Sequence, residues 1–487
     1  MAKHPFVSDR DAFEALGNRT VRMLDRYMRG LPDEPVDRVV PKDVRQRLIA
    51  LPLPEHGQSP EEILDFLQRE VMPWPIATGH KRSYGWVNSG PAPIALLADA
   101  VASTMDCGLD GYDHSAIFLM RSLGRWIMEL VGFPTEGSLC ILLSGGSSAT
   151  LNALTTARHR AAQRDGWNMR TEGLQSGRKR LILYSSAESH SSIQKCVEQL
   201  GVGTDNLRAI EADDAFRMKP AALHAAIEAD LKAGHLPFAI VACGGATNTG
   251  AIDPLDEIAD IAQGFGIWLH VDGAFGAWAA LDHAYRKQFR AFARVDSVTL
   301  NPHKWLQVPI DCGALLTRHP EAHRAAYSLT PDYLEAGHSE APWPYEHMFQ
   351  LTYGNRALKV WAAIARLGRA GVTELVTRCN ALAKLLEQRV RETADLELLS
   401  PASLSVVNFR YRPEDRALND AALDSLNDRI SDAVSASGEA HMPTTRIHDR
   451  TSLRVCFLHY ENDESDVEHL IGLVRRLGAG LAADITG

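Results

Sequence analysis

Ile-Trp-Leu-His-Val-Asp-Gly-Ala-Phe-Gly, residues 267–276, is the stretch whose reading decides the fold. A short apolar run, Ile267–Val271, ends on a carboxylate, Asp272, and small residues follow. The run is too short and too continuously apolar for an amphipathic helix, so it reads as a strand buried on both faces. Working outward, the same pattern recurs at Val295–Leu300 and Gly313–Leu316 on one side, and at Phe238–Ala242, Leu181–Tyr184 and Leu139–Leu143 on the other. Helical periodicity fills several of the gaps, at Thr150–Gln163, Ser192–Leu200 and Pro254–Gly264. Strands alternating with helices predict a mainly parallel α/β sheet covered on both faces. Sites in such sheets lie outside the C-terminal ends of the strands, where Asp272 falls.

Two flanks differ from this centre. Residues 1–75 read as helical segments broken by prolines, Asp11–Arg29, Val44–Leu51 and Pro60–Val71, with too little apolar surface to stand alone. They are expected to pack on the main body or on a second subunit. Near Leu367–Gly371 a long helix is expected to end. Helix Glu374–Thr393, strand Ser405–Tyr411, helix Asp420–Ser435, strand Ser452–Leu458 and helix Ser465–Leu477 then predict a smaller α+β unit. The expected division is 1–75, 76–370 and 371–487, and a chain of 487 residues has the length for more than one core.

Composition narrows the class. Hydrophobic residues make up 45% and charged residues 23%, as in ordinary globular proteins, and the net charge of -10 argues against a nucleic-acid binder. Seven cysteines, odd in number and never spaced as CxxC, fit reduced thiols better than disulfides or a zinc cage. The opening Met-Ala-Lys-His-Pro-Phe has no signal-peptide core, and no apolar run approaches the roughly 18 residues of a membrane span. A cytoplasmic protein acting on a small molecule, without membrane or metal, is expected.

Four segments carry chemistry. Leu-Ser-Gly-Gly-Ser-Ser-Ala-Thr, 143–150, joins a strand to a helix. It suits a phosphate, through close backbone approach, free helix-start N–H groups and the Ser147 and Ser148 hydroxyls, and reads equally as a turn with an N-cap serine. It matches neither the dinucleotide fingerprint nor the P-loop. Asp272, at the end of a buried strand, needs a cationic partner or a capping role. Ser-Val-Thr-Leu-Asn-Pro-His-Lys-Trp-Leu, 297–306, brings Lys304 to the same edge among Val298, Leu300, Trp305 and Leu306. A lysine desolvated in this way loses its proton more easily and becomes a nucleophile toward an aldehyde. His190 follows the strand Leu181–Tyr184.

Together these segments resemble the group II pyridoxal-phosphate decarboxylases of the aromatic-L-amino-acid decarboxylase type, over roughly residues 60–365 and more faintly to the end. The most specific signature is Asn-Pro-His-Lys-Trp, with His-Val-Asp upstream by 304 − 272 = 32 positions. The resemblance implies a fold-type-I homodimer with pyridoxal 5'-phosphate on Lys304, Asp272 paired with the pyridine nitrogen, and His190 stacked on the ring. It places Ala274 on the other ring face, Ser147, Ser148, His303 and Asn301 on the phosphate side, and Thr247 of Gly-Gly-Ala-Thr-Asn-Thr-Gly near the cofactor. Tyr333 of Thr-Pro-Asp-Tyr-Leu resembles the family's proton-donating tyrosine, in a segment, Ser328–Pro344, whose prolines and glycine read as a mobile loop.

The substrate side departs from the family pattern. Ser-Tyr-Gly-Trp-Val-Asn-Ser-Gly, 83–90, and Asp-Cys-Gly-Leu-Asp-Gly-Tyr-Asp-His, 106–114, keep aromatic character in Trp86 and Tyr112 but add Asn88, Asp110, Asp113 and His114. The Asp110, Asp113 and His114 group reads as a polar turn rather than a metal site. An L-amino acid is the expected substrate, aromatic first, diamino or acidic behind. An aldehyde synthase, in which oxygen consumes the decarboxylated carbon, is the alternative, and Tyr333 argues against it because related synthases typically replace that residue. A non-catalytic scaffold and a nicotinamide dehydrogenase rank lower, the first because Lys304, Asp272 and His190 are intact, the second because the glycine fingerprint is missing.

Overall fold

The structure is a computed structural model and describes residues 4–106, 108, 114–175, 178–329, 343–415 and 417–483. Seven strands form the main sheet: β1 (Leu139–Leu143), β2 (Leu181–Ser186), β3 (Leu207–Ile210), β4 (Leu236–Cys243), β5 (Trp268–Asp272), β6 (Ser297–Leu300) and β7 (Gly313–Thr317). Their order is β1-β7-β6-β5-β4-β2-β3. The pairs β6–β5, β5–β4, β4–β2 and β2–β3 are parallel, while β7 runs antiparallel to both β1 and β6. The sheet is thus mainly parallel and doubly wound, the architecture of a fold-type-I enzyme. All six expected strands form. β3 had no signal because only its last residue, Ile210, is buried, so no apolar run marks this edge strand.

Register sets the working edge. Asp272 pairs with Cys243 of β4 and with Thr299 of β6, so the C-terminal ends of three strands are level. Leu143 of β1 pairs with Gly313 of β7, which brings the 144–148 loop to the same edge. A Cβ on Gly313 would lie 2.5 Å from the Gly145 carbonyl carbon, so only glycine lets β7 start there. Phe275 and Trp305 stack with ring centroids 5.5 Å apart and planes 16° from parallel, both almost fully buried. They stand three residues after Asp272 and one after Lys304, so one aromatic contact, worth about 1 kcal/mol beyond burial, ties those two segments together.

The C-terminal segment builds a second, antiparallel sheet in the order β10-β11-β9-β8, from β8 (Leu396–Ser403), β9 (Val406–Tyr411), β10 (Thr444–Ile447) and β11 (Arg450–Cys456). Helices Asp420–Ser437 and Glu464–Ala483 accompany it, as expected. As expected, the helical path breaks near Leu367–Gly371: within Ala357–Glu392, Gly368 adopts φ 62°, ψ 177°, and two helices meet there across a kink. The N-terminal region is helical at Pro5–Asp11, Phe13–Gly30, Lys42–Ile49 and Pro60–Phe66. It leaves Phe6, Phe13, Ile49 and Leu53 exposed. The six described cysteines are free and buried, and among the described residues no helix is long and apolar enough to cross a membrane.

Candidate active site

A cavity of about 500 Å³ opens at the C-terminal edge of the main sheet. Lys304, Asp272, His190, Ser147, Ser148, Thr247, Ala274, Asn301, His303, Trp86 and Asn88 all line it. These come from six separate segments, brought together at the C-terminal edge of the sheet. Asp110, Tyr112, Asp113 and Tyr333 lie outside the described residues. His114 lies 3.1 Å, through Nε2, from the Gly108 carbonyl. Among the described residues no cluster could hold a metal ion.

At the floor, Lys304 follows β6 in a short turn of helix, Pro302–Trp305. Loss of water around its ammonium pulls the pKa below the ordinary lysine range, and the nearby Asp272 charge opposes this only in part. Asp272 accepts from the Ala274 N–H at 3.1 Å through Oδ1. Beneath it runs a buried chain: Trp268 donates from Nε1 to Ser297 Oγ at 2.9 Å, His270 Nδ1 meets the same hydroxyl at 2.9 Å, and His270 Nε2 lies 3.3 Å from Thr150 Oγ1 and 3.2 Å from Thr299 Oγ1. Burial pushes the His270 pKa down to about 4, so the ring is neutral.

On one wall the helix Gly146–Arg164 begins at Gly145 with no side chain capping its free N–H groups. Ser144 and Ser148 hydroxyls lie 2.7 Å apart beside it. A Cβ on Gly146 would come within 3.0 Å of the Ala274 Cβ, so the helix start approaches the strand-end turn as closely as glycine permits. His303 accepts from the Cys312 N–H through Nδ1 at 3.0 Å and lies 3.3 Å, through Nε2, from the Asn301 amide. Burial lowers its pKa to about 4. The buried Asn301 Oδ1 has no partner. His190 Nδ1 accepts from the Ser192 N–H at 3.1 Å and meets its hydroxyl at 2.9 Å, which leaves Nε2 for the cavity.

Three contributors were not anticipated. Ser192 fixes the His190 ring. Cys243 lines the cavity at the end of β4, where the strand-end rule would have found it. Arg454, in β11, is buried and donates to the Thr247 carbonyl from Nε at 3.1 Å and Nη2 at 2.5 Å, and to the Trp86 carbonyl from Nη1 at 3.4 Å. It stands about two hundred residues from Thr247, so no local pattern could announce it.

The donor set fits pyridoxal phosphate: an uncapped helix start with hydroxyls for a phosphate, a carboxylate for a protonated ring nitrogen, a desolvated lysine for an aldehyde, and an unpartnered amide oxygen between them. Comparison with known proteins agrees. Residues 41–412 match the pyridoxal-dependent decarboxylase conserved domain. An aromatic-L-amino-acid decarboxylase of Bacillus atrophaeus is 28% identical over 97% of this chain and 95% of its own length. The acidic amino acid decarboxylase GADL1 of Homo sapiens is 31% identical over 77% of this chain and 71% of its own. A crystal structure of Oryza sativa TDC with PLP and tryptamine superposes with a TM-score of 0.92 at 25% identity, over 99% of this chain and 100% of that one. The chain belongs to the pyridoxal-dependent decarboxylase family, the pyridoxal-phosphate carboxy-lyases that act on amino acids.

Proposed function

We propose that this carboxy-lyase takes an aromatic L-amino acid to its amine and CO2. The observation that carries the choice of substrate is one of charge. Among the described lining residues Lys304 is the only lysine or arginine, and Arg454 behind them is engaged with carbonyls. A second carboxylate on an acidic substrate would enter this cavity without a dedicated cation. Trp86 is 46% exposed at the cavity and leans on His441, with centroids 5.3 Å apart, offering an aromatic side chain a flat neighbour.

Each residue has a role in this reading. The helix start with Ser147, Ser148, His303 and Asn301 binds the phosphate. Asp272 sets a fixed negative charge against a protonated ring nitrogen. His190 would face one side of the cofactor ring and Ala274 the other, with Thr247 alongside. Bound pyridoxal phosphate supplies an electron sink for the pair left when the Cα–carboxylate bond breaks. Lys304 would hold the cofactor through the aldehyde carbon, and its side chain places an amine at the cavity floor. Tyr333 delivers the proton that Cα requires. Trp86, Asn88, Asp110 and Tyr112 bound the substrate side.

The same reading treats 76–370 as the large domain, 371–487 as the small one, and 1–75 as the contact region of a cytoplasmic homodimer. The exposed Phe6, Phe13, Ile49 and Leu53 support that last assignment. A screen of all common amino acids for CO2 and amine, with oxygen and peroxide followed in the same wells, tests the function. Highest turnover on glutamate or a diamino acid would overturn the aromatic assignment, and stoichiometric peroxide would make the enzyme an aldehyde synthase. A fully active monomer by light scattering would refute the dimer.

A further inference from the structure

A second cleft, of about 600 Å³, lies on the opposite edge of the sheet, where β4 and β5 begin and the helix Gly146–Arg164 ends. Its apolar side includes Leu231, Pro237 and Phe265, with Trp268 among the lining residues. Four arginines, Arg160, Arg164, Arg294 and Arg318, line it as well.

The charges do not balance. Arg160 is 3.4 Å from Asp296, Arg294 is 2.6 Å from Asp260, and Asp165 is 2.6 Å from Lys179. Each of those carboxylates already has a basic partner, and Asp296 has a second in His319, whose Nε2 lies 2.6 Å away and which also lines the cleft. Arg164 donates to the Gly266 carbonyl and Arg318 to the Arg294 carbonyl at 3.2 Å, and neither has a carboxylate partner among the described residues. Two uncompensated guanidiniums therefore share one concave site, in a chain whose net charge is -10. Both stand at exposed positions, free to reach an anion that enters the cleft, and a dianion would meet both. The planar guanidinium fork matches phosphate oxygens two at a time, and two forks match the two charges of a phosphate monoester. The apolar wall then calls for a ligand with more than the phosphate. We propose that this cleft binds a small organic phosphate whose other end is aromatic or apolar. Trp268, in the cleft, opens the buried chain that runs through Ser297 and His270 to Thr299, the register partner of Asp272.

Titration calorimetry on the cofactor-loaded enzyme, with AMP as the probe and adenosine and inorganic phosphate as its two halves, tests the assignment. One AMP is expected per chain with a Kd between about 10 μM and 1 mM, and each half should bind at least ~10-fold more weakly. Arg164→Gln combined with Arg318→Gln should weaken AMP at least ~30-fold, with turnover at saturating amino acid unchanged. Should the double variant fail to fold, Arg318→Gln alone, at an exposed position, should weaken AMP about tenfold. No AMP heat up to about 10 mM, or an unchanged Kd in the folded variants, overturns the site. Equal affinity for AMP and inorganic phosphate overturns the apolar end of the ligand.

Discussion

Exclusion of water lowers the pKa of Lys304, and the Asp272 charge opposes that shift in part. The two make separate predictions. Borohydride reduction of the holoenzyme should fix the cofactor to the peptide bearing Lys304, and Lys304→Ala should abolish turnover while retaining weak cofactor binding through the phosphate contacts. A label on any other peptide contradicts the assignment. Asp272→Asn keeps the shape and removes the charge. Losing a paired charge is worth more than one pKa unit, so turnover should fall at least ~100-fold, about 2.7 kcal/mol in the barrier. Near-normal turnover would show that no ring nitrogen depends on it. Tyr333→Phe separates the two fates of Cα after CO2 leaves: amine should fall, while aldehyde, ammonia and peroxide rise as oxygen takes the place of the lost proton donor. Wild-type amine yield would move the proton donor elsewhere. At this scale the sequence was informative where a cavity-lining residue stands at or shortly after a strand end, as Asp272 ends its strand and His190 lies four residues after the Leu181–Ser186 strand. It was silent on Ser192 and Arg454, whose roles consist of orienting other groups.

Elements were legible in proportion to their burial. β1, with its last four residues buried, shows its full length in the chain; β3, half-exposed at the edge, shows nothing. Gly368 breaks the helical pattern in the sequence where its backbone breaks the helical path, so that helix boundary was legible. Tertiary ties between elements are the part no local pattern contains. Arg454 is the clearest case, since one guanidinium on β11 spans the Thr247 and Trp86 carbonyls and so fastens the small sheet to two walls of the cavity. Lysine carries the charge but is a single point and cannot span both. Arg454→Lys should therefore cost about 1–3 kcal/mol of stability and raise KM severalfold, with kcat falling less. Melting curves and steady-state kinetics on the same preparation check this. A stability loss with unchanged KM would reduce Arg454 to a packing role.

Over the whole molecule, the buried histidines fix how stability depends on pH. Burial drives the pKa of His270, His303 and His459 down to about 4 and that of His323 to about 3. In the unfolded chain each returns to about 6.5. As pH falls below 6.5 the unfolded state takes up these protons and the folded state does not, so the stability is fully present above 6.5 and is lost through the window down to about 4. Two carboxyls oppose the trend, Glu188, which burial raises, and Asp253. Asp253, buried and accepting from the Met218 and Cys243 N–H groups, is raised to about 6, so the folded state binds its proton before the unfolded state does. His80, His159, His347 and His469 are lowered by burial as well, so histidines outnumber the opposing carboxyls, and each fully offset group contributes about 1.4 kcal/mol per pH unit. Urea midpoints of the cofactor-loaded protein at pH 7, 6 and 5 should fall steeply at constant m-value. His323 is not among the residues that line the cofactor cavity, and its Nδ1 lies 3.0 Å from Thr156 Oγ1. His323→Gln keeps a polar group there and removes one titration, so the slope should drop by about 1.4 kcal/mol per pH unit even if the variant is less stable at pH 7. A midpoint that stays flat from pH 7 to 5, or a slope untouched in His323→Gln, would mean these rings are protonated in the fold at no cost.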